Sequence, residues 1–243
     1  MSNATQSVAA ARIDSLLDAN SFVEIGQAVT ARATDFNMTE KKAPSDGVIT
    51  GYGVIDGSLV YVYSQDASVL NGTVGEMHAK KIAKIYDLAL KVGAPVIGLV
   101  DCAGLRLQEA TDALEAFGEI YLKQTLASGV IPQITAVFGT CGGGMAVVPA
   151  LTDFTFVEEK KGRLSVNTPN ALEGNRVEKC DSASAQFQSE ETGLVDGIGT
   201  EEEILGQIRT LVSMLPENNE DNDSFKECTD DLNRVCDDIA GCT

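Results

Sequence analysis

The chain has no tryptophan, a single histidine and few aromatic side chains, 5% of its 243 residues. Its core must therefore be built from Val, Ile, Leu and Ala, and any histidine chemistry must run through His78. Basic residues are scarce too: 18 Lys and Arg stand against 36 Asp and Glu, a formal net charge of −18. Binding phosphate backbones needs a basic footprint, so nucleic acid is not an expected partner. No run of about 18 apolar residues occurs, so no membrane span is expected. Met1 to Gln6 have neither a basic start nor an apolar stretch. They do not read as a signal peptide, and the expected compartment is the cytoplasm. The six cysteines, at 102, 141, 180, 228, 236 and 242, include no Cys-x-x-Cys pair. No zinc site is expected, and reduced thiols are. Cys102 and Cys141 read as small packing residues rather than nucleophiles.

What is present is an ordinary globular balance, 44% hydrophobic and 22% charged, with 23 glycines. The spacing predicts a helix over Val8 to Asn20, a brief strand at Phe22–Ile25 and a polar loop from Arg32 to Ser45. Two β-rich runs, 48–55 and 59–63, flank Asp56-Gly57, a hairpin signal. A helix follows from Glu76 to Lys91, with His78, Ile82, Ile85, Ala89 and Val92 as its buried stripe. The strand–helix pattern then repeats. Val96–Val100 is followed by a helix over Leu105–Ala127, with Ala113, Phe117, Ile120, Tyr121 and Leu126 periodic. Ile131–Phe138 leads to a helix start at Met145–Leu151, then to strands at Phe154–Val157 and Ser165–Pro169. Short strands separated by helices imply an α/β fold with parallel pairing. Glu201–Leu215 is a helix with Ile204, Ile208, Leu211 and Val212 on one face. The expected division is a domain over 1–216 and an acidic linker with a C-terminal helix over 217–243. That helix carries Phe225, Cys228, Leu232, Val235 and Ile239.

Two of the strands end in small-residue turns that open into helices: Asp101-Cys102-Ala103-Gly104-Leu105-Arg106 and Gly139-Thr140-Cys141-Gly142-Gly143-Gly144-Met145. Such turns leave backbone N–H groups without internal acceptors. Side by side, they would hold one carbonyl oxygen and stabilise charge developing on it. The candidate oxyanion donors are Gly143 and Gly144, with Gly104 and Leu105 on the other turn. His78 falls on an apolar stripe and reads as a packed imidazole.

Longer stretches resemble a known family. They include Ser64-Gln65-Asp66, Gly75-Glu76-Met77-His78-Ala79-Lys80-Lys81, the run from Leu88 to Leu99, and Arg106-Leu107-Gln108-Glu109. The run from Thr125 to Ile134, Cys141-Gly142-Gly143-Gly144 and Pro149 to Phe154 continue the match. Together they resemble the amino-terminal half of the carboxyltransferase of biotin-dependent acyl-CoA carboxylases and decarboxylases, of the propionyl-CoA, methylmalonyl-CoA and glutaconyl-CoA group. The resemblance covers about residues 10–216.

The resemblance implies a crotonase-like fold, a spiral of ββα units, with backbone amides as the oxyanion hole. It implies acyl-CoA as substrate and biotin as cofactor, carried on a separate biotin carrier protein. It also implies a second crotonase-type carboxyltransferase subunit, oligomeric assembly, and transfer of a carboxyl group through an acyl-CoA enolate. Ala103, Arg106, Lys80 and Gly142 become the cofactor-binding candidates, although a structural ion pair of Arg106 with Glu109 is the simpler reading of that residue. No metal is implied. Ala103, Leu105 and Met145 are bulkier than the family's usual residues, which bears on the acyl pocket. Two alternatives are a biotin-independent malonate decarboxylase-type subunit and a non-catalytic scaffold of the same fold. A serine hydrolase of the wider fold is disfavoured, because no serine sits at Gly142-Gly143-Gly144.

Overall fold

The computed structural model describes residues 7–32, 43–167, 181–221, 231 and 233–235. Helix α1 (Val8–Leu16) starts with Ser7, whose side chain accepts from the Ala10 amide. A short strand β1 (Val23–Glu24) then runs along β2 (Val48–Ile55). β2 and β3 (Ser58–Gln65) pair antiparallel from Val48↔Gln65 to Ile55↔Ser58. Asp56 and Gly57 both have positive φ, 49° and 90°, so the two-residue turn follows the twist of its strands.

Beyond β3 the sheet becomes parallel. β4 (Val96–Cys102), β5 (Gln133–Gly142) and β6 (Phe154–Glu158) follow in order. Strand β7 (Arg163–Ser165) pairs with the far end of β5, and β8 (Gly197–Gly199) pairs with β6. Parallel neighbours need crossovers. Helices α2 (Glu76–Val92) and α3 (Ala110–Ala127) supply the first two. Three further α-helices follow among the described residues: α4 (Val148–Leu151), α5 (Ala185–Glu190) and α6 (Glu201–Met214).

The inner strands are apolar on both faces, as a covered parallel sheet requires. Tyr61, Tyr63, Val96, Val100 and Val137 cluster with Ile82, Ile85 and Ala89 of α2 and Phe117 and Ile120 of α3. Val60, Val62, Ile97, Leu99, Ile134 and Phe138 cluster on the opposite face with Ile13 and Leu16 of α1 and Ile204 and Ile208 of α6.

Several boundaries differ from the periodicity. β5 runs past Phe138 to Gly142, because β7 offers a pairing partner at Thr140–Gly142. α3 begins at Ala110 rather than Leu105, because residues 103–106 bond to residues 71–74 instead. A 3₁₀ turn, Leu107–Glu109, fills the interval. Val92 and Leu126, expected on buried stripes, are 56% and 55% exposed. Thr168, Pro169, Phe225, Cys228, Leu232 and Ile239 lie outside the described residues, and Val235 is exposed. Among the described residues no helix is long and apolar enough to cross a membrane.

Candidate oxyanion site at two adjoining turns

β4 and β5 are direct neighbours, and Cys102 pairs with Cys141 in their register. The chain therefore leaves the sheet twice at one edge, through residues 103–106 and 142–144. The turns touch. A Cβ built on Gly104, whose φ is 110°, would lie 3.0 Å from the Gly142 oxygen and 3.9 Å from the Gly143 Cα. One built on Gly142 would lie 3.4 Å from the Ala103 oxygen. Ala103, Gly104, Leu105, Gly142, Gly143 and Gly144 are thus brought together.

The direction of each amide follows from its partners. The Ala103 N–H donates to Asn71 O at 3.1 Å and the Gly104 N–H to Cys102 Sγ at 3.3 Å. Arg106 N–H donates to Val74 O at 3.0 Å, and Val74 N–H to Gly104 O at 2.9 Å. Leu105 is the parallel bridge partner of Val74. Because Gly104 O and Arg106 N–H both point at residue 74, the alternation of extended backbone turns the Leu105 N–H the other way. Across from it, Gly143, at φ 60°, opens a 3₁₀ turn over Gly143–Val147. The first N–H groups of a helix find no acceptor inside it.

Aromatic side chains of α3 brace the second turn. The Tyr121 hydroxyl donates to Gly144 O. A Cβ on Gly144 would meet that hydroxyl at 3.0 Å and the Phe117 ring at 3.2 Å. A Cβ on Gly143 would meet nothing within 4 Å, so this side of the turn is open. Phe117 and Tyr121 are legible as stripe residues, yet nothing in their spacing reveals the bond to Gly144. Met145 is fully buried, its sulfur 3.8 Å from Gln65 Nε2, so its bulk enters the core and not an acyl pocket.

Both turn cysteines are fully buried. Burial pushes the Cys102 thiol up to about 12 and the Cys141 thiol well above its ordinary value. Neither supplies a thiolate at neutral pH. His78 is a packed imidazole, as expected. Its Nδ1 lies 2.9 Å from Asp46 O, which only accepts, so Nδ1 carries the proton. Nε2 then accepts from Gln65 Nε2 at 3.0 Å. Burial, reinforced by the Arg106 charge, pulls the imidazole down to about 3.

Two cofactor-binding candidates present no side chain at the contact between the turns. Arg106 is 1% exposed, and its guanidinium is occupied by Asp46, Glu109 and Thr73. The expectation that it contacts a cofactor is therefore corrected: it holds protein, not ligand. Lys80 projects from α2, 2.6 Å from Glu76. It lines a 620 Å³ cleft with Arg32, Asp112, Glu115 and Glu119, and no residue of either turn reaches that cleft. Among the described residues no group of His, Cys, Asp or Glu is arranged to hold a metal ion.

The carboxyl transferase domain model matches residues 2–242. The chain belongs to the carboxyl transferase domain family. It is 42% identical over 226 residues to the methylmalonyl-CoA decarboxylase subunit alpha of Propionigenium modestum, covering 91% of this chain and 44% of the relative. It is 43% identical over 232 residues to the carboxyltransferase subunit of propionyl-CoA carboxylase from Haloferax mediterranei, covering 94% and 45%. Its fold matches a crystal structure of transcarboxylase 12S, a hexamer with hydrolysed methylmalonyl-coenzyme A bound. The TM-score is 0.87 at 32% identity, over 92% of this chain and 44% of the other. The mixed α/β fold expected from the resemblance is thus the fold of this carboxyl transferase domain. The chain spans less than half the length of the relatives it matches.

Proposed function

We propose that this carboxyl transferase domain is the acyl-CoA half of a carboxyltransferase that moves a carboxyl group between biotin and the α-carbon of an acyl-CoA. The observation that carries the reading is the contact between the two turns. In this reading the Leu105 N–H, turned away from Val74, and the opening amides of Gly143 and Gly144 would serve one acceptor. A thioester oxygen accepting from both sides would gain negative charge as the α-carbon loses its proton or its carboxyl group. Donors aimed where charge develops stabilise that enolate more than the ground state. Carboxylation and decarboxylation both pass through it. Gly104 is a positioning glycine in this reading, since its own N–H is held by Cys102, and Ala103 and Gly142 line the contact between the turns.

The relatives at 42% and 43% identity act, by name, on methylmalonyl-CoA and propionyl-CoA, so a short acyl-CoA of that class is the proposed substrate. Biotin, carried on a partner protein, would supply the carboxyl carrier. The open side of Gly143 leaves room for a reactant to approach from a second crotonase-type half. Neither His78 nor the two buried thiols suits proton transfer, so that role falls to the partner side. Lys80, exposed and paired with Glu76, remains a proposed contact for the CoA phosphates.

The test removes one N–H donor. Proline is unsuitable at Gly143, because φ 60° lies far from proline's φ near −65°. An ester in place of the amide, made by incorporating glycolic acid at position 144, deletes the donor without adding a side chain. In the assembled enzyme the expected loss in turnover is about 10²–10³. Full turnover from the ester variant would mean that the Gly144 amide does not hold the thioester.

A further inference from the structure

Residues 45–47 and 70–72 form two left-handed turns. Their φ values are 55°, 50° and 71° for Ser45, Asp46 and Gly47, and 49°, 56° and 64° for Leu70, Asn71 and Gly72. Four of the six are not glycine, and each is held in a region that L-residues disfavour. Such conformations persist only where the surroundings over-determine them, and they collect at functional sites. Here the two turns are stacked beneath the Leu105 turn. A Cβ on Gly47 would lie 3.1 Å from Val69 O, so the first turn packs against the second. A Cβ on Gly72 would lie 2.1 Å from Asp101 O, so the second rests on the end of β4. Asn71 O takes the Ala103 amide, and Val74 zips to Gly104 and Arg106.

One buried charge cluster fastens the stack. Asp46 is 0% exposed, and Arg106 and Glu109 are 1% and 4%. Arg106 Nη1 donates to Asp46 Oδ1 and, at 3.0 Å, to Glu109 Oε1, while Nη2 donates to Thr73 O at 2.6 Å. The remaining carboxylate oxygens cap α2 from outside the helix. Glu109 Oε2 accepts the Glu76 N–H and Asp46 Oδ2 the His78 N–H, each at 2.7 Å. Those donors are orphans of the first turn, and the N-cap residue Gly75 has no side chain to serve them. Gly75 admits none: a Cβ there would stand 2.5 Å from Arg106 Nη1 and from Glu109 Oε1. Two anions and one cation leave one net negative charge, placed at the positive end of a 17-residue helix.

We propose that Asp46, Arg106 and Glu109 form a positioning junction that sets the direction of the Leu105 amide by locking the 45–47 and 70–74 segments beneath it. The proposal rests on the reading of that amide as an oxyanion donor. The junction is sealed from solvent; it acts through the Thr73–Val74 segment and the bonds that join Val74 to Gly104 and Arg106. A donor displaced by about 1 Å loses much of its value in the transition state. Substrate binding, spread over the rest of the molecule, is left intact.

Asp46→Asn tests this. Asn keeps the shape and tolerates positive φ, but its NH2 must oppose either Arg106 or the His78 N–H. In the enzyme assembled with its second carboxyltransferase half and biotinylated carrier, with propionyl-CoA as probe, kcat should fall about 10–100-fold. The KM for propionyl-CoA should stay within about twofold. Amide hydrogen exchange in residues 103–106 of this chain should accelerate, while the centres of β4 and β5 stay protected. A folded Asp46→Asn enzyme with full kcat would overturn the proposal, and so would a raised KM at unchanged kcat. If Asp46→Asn does not fold, Arg106→Lys, which keeps the charge but loses the fork to Thr73, is judged by the same two criteria. The matching ester at position 105, with the hydroxy-acid analogue of leucine in place of Leu105, removes the Leu105 N–H and separates the two claims. If the ester is slow and Asp46→Asn is fast, only the junction falls. If the ester is fast, the oxyanion reading falls first.

Discussion

His78 shows how completely environment decides what a residue does. Its neutral ring links Asp46 O to Gln65, and the folded protein resists protonating it until about pH 3. In the unfolded chain an imidazole titrates near 6.5. Between these values the unfolded state binds the additional proton, so stability falls as pH drops from about 6.5 toward 3 and is fully present above that window. The slope contributed by one such group approaches about 1.4 kcal/mol per pH unit. Urea unfolding at pH 7.5, 6 and 5 should show this slope in the parent chain and its loss in His78→Asn, which keeps a donor toward Asp46 but does not titrate. Equal slopes in the two proteins would refute the assignment. That His78 would be packed was readable from its place on the α2 stripe. That Arg106 would be buried was not, because a lone arginine after a turn gives no sign of Asp46, sixty residues away.

Among elements, the turns are more demanding than the helices. Gly57 and Gly72 both have positive φ, 90° and 64°, but only Gly72 is enclosed. Gly57→Ala should cost about 1 kcal/mol, from φ alone. Gly72→Ala adds a backbone contact at 2.1 Å and should cost more than about 2 kcal/mol, because the 70–72 turn must lift from β4. Denaturant midpoints of the two variants decide the matter; equal losses would show that the stack is loose. The capping box of α6, in which Thr200 and Glu203 exchange bonds, offers a milder case. Thr200→Ala should remove about 1 kcal/mol.

At the scale of the whole molecule, the described residues present one set of strand–turn–helix units, while the relatives are more than twice as long as this chain. The proposed site, with backbone donors on one face, open at Gly143, and with neither His78 nor the two buried thiols suited to proton transfer, should not turn over alone. The purified chain should show no acyl-CoA-dependent decarboxylation of carboxybiotin. Activity should appear when the second carboxyltransferase half is added. Full activity without it would contradict the proposed division of labour.

The apolar runs along 59–63, 96–100 and 131–138, the Asp56-Gly57 turn and the helical stripes are local properties, governed by side-chain chemistry and period, so they were readable residue by residue. The family was readable as well, because its motifs are contiguous. Long-range choices were not. Residues 103–106 gave up a helical start for bonds to residues 71–74, and β5 gained four residues because β7 came to pair with it. The adjacency of the two turns, the outward Leu105 amide and the burial of Arg106 all depend on which segments pack together. That outcome is decided by shape and by the need to satisfy buried donors across the fold, and no short stretch of sequence contains it.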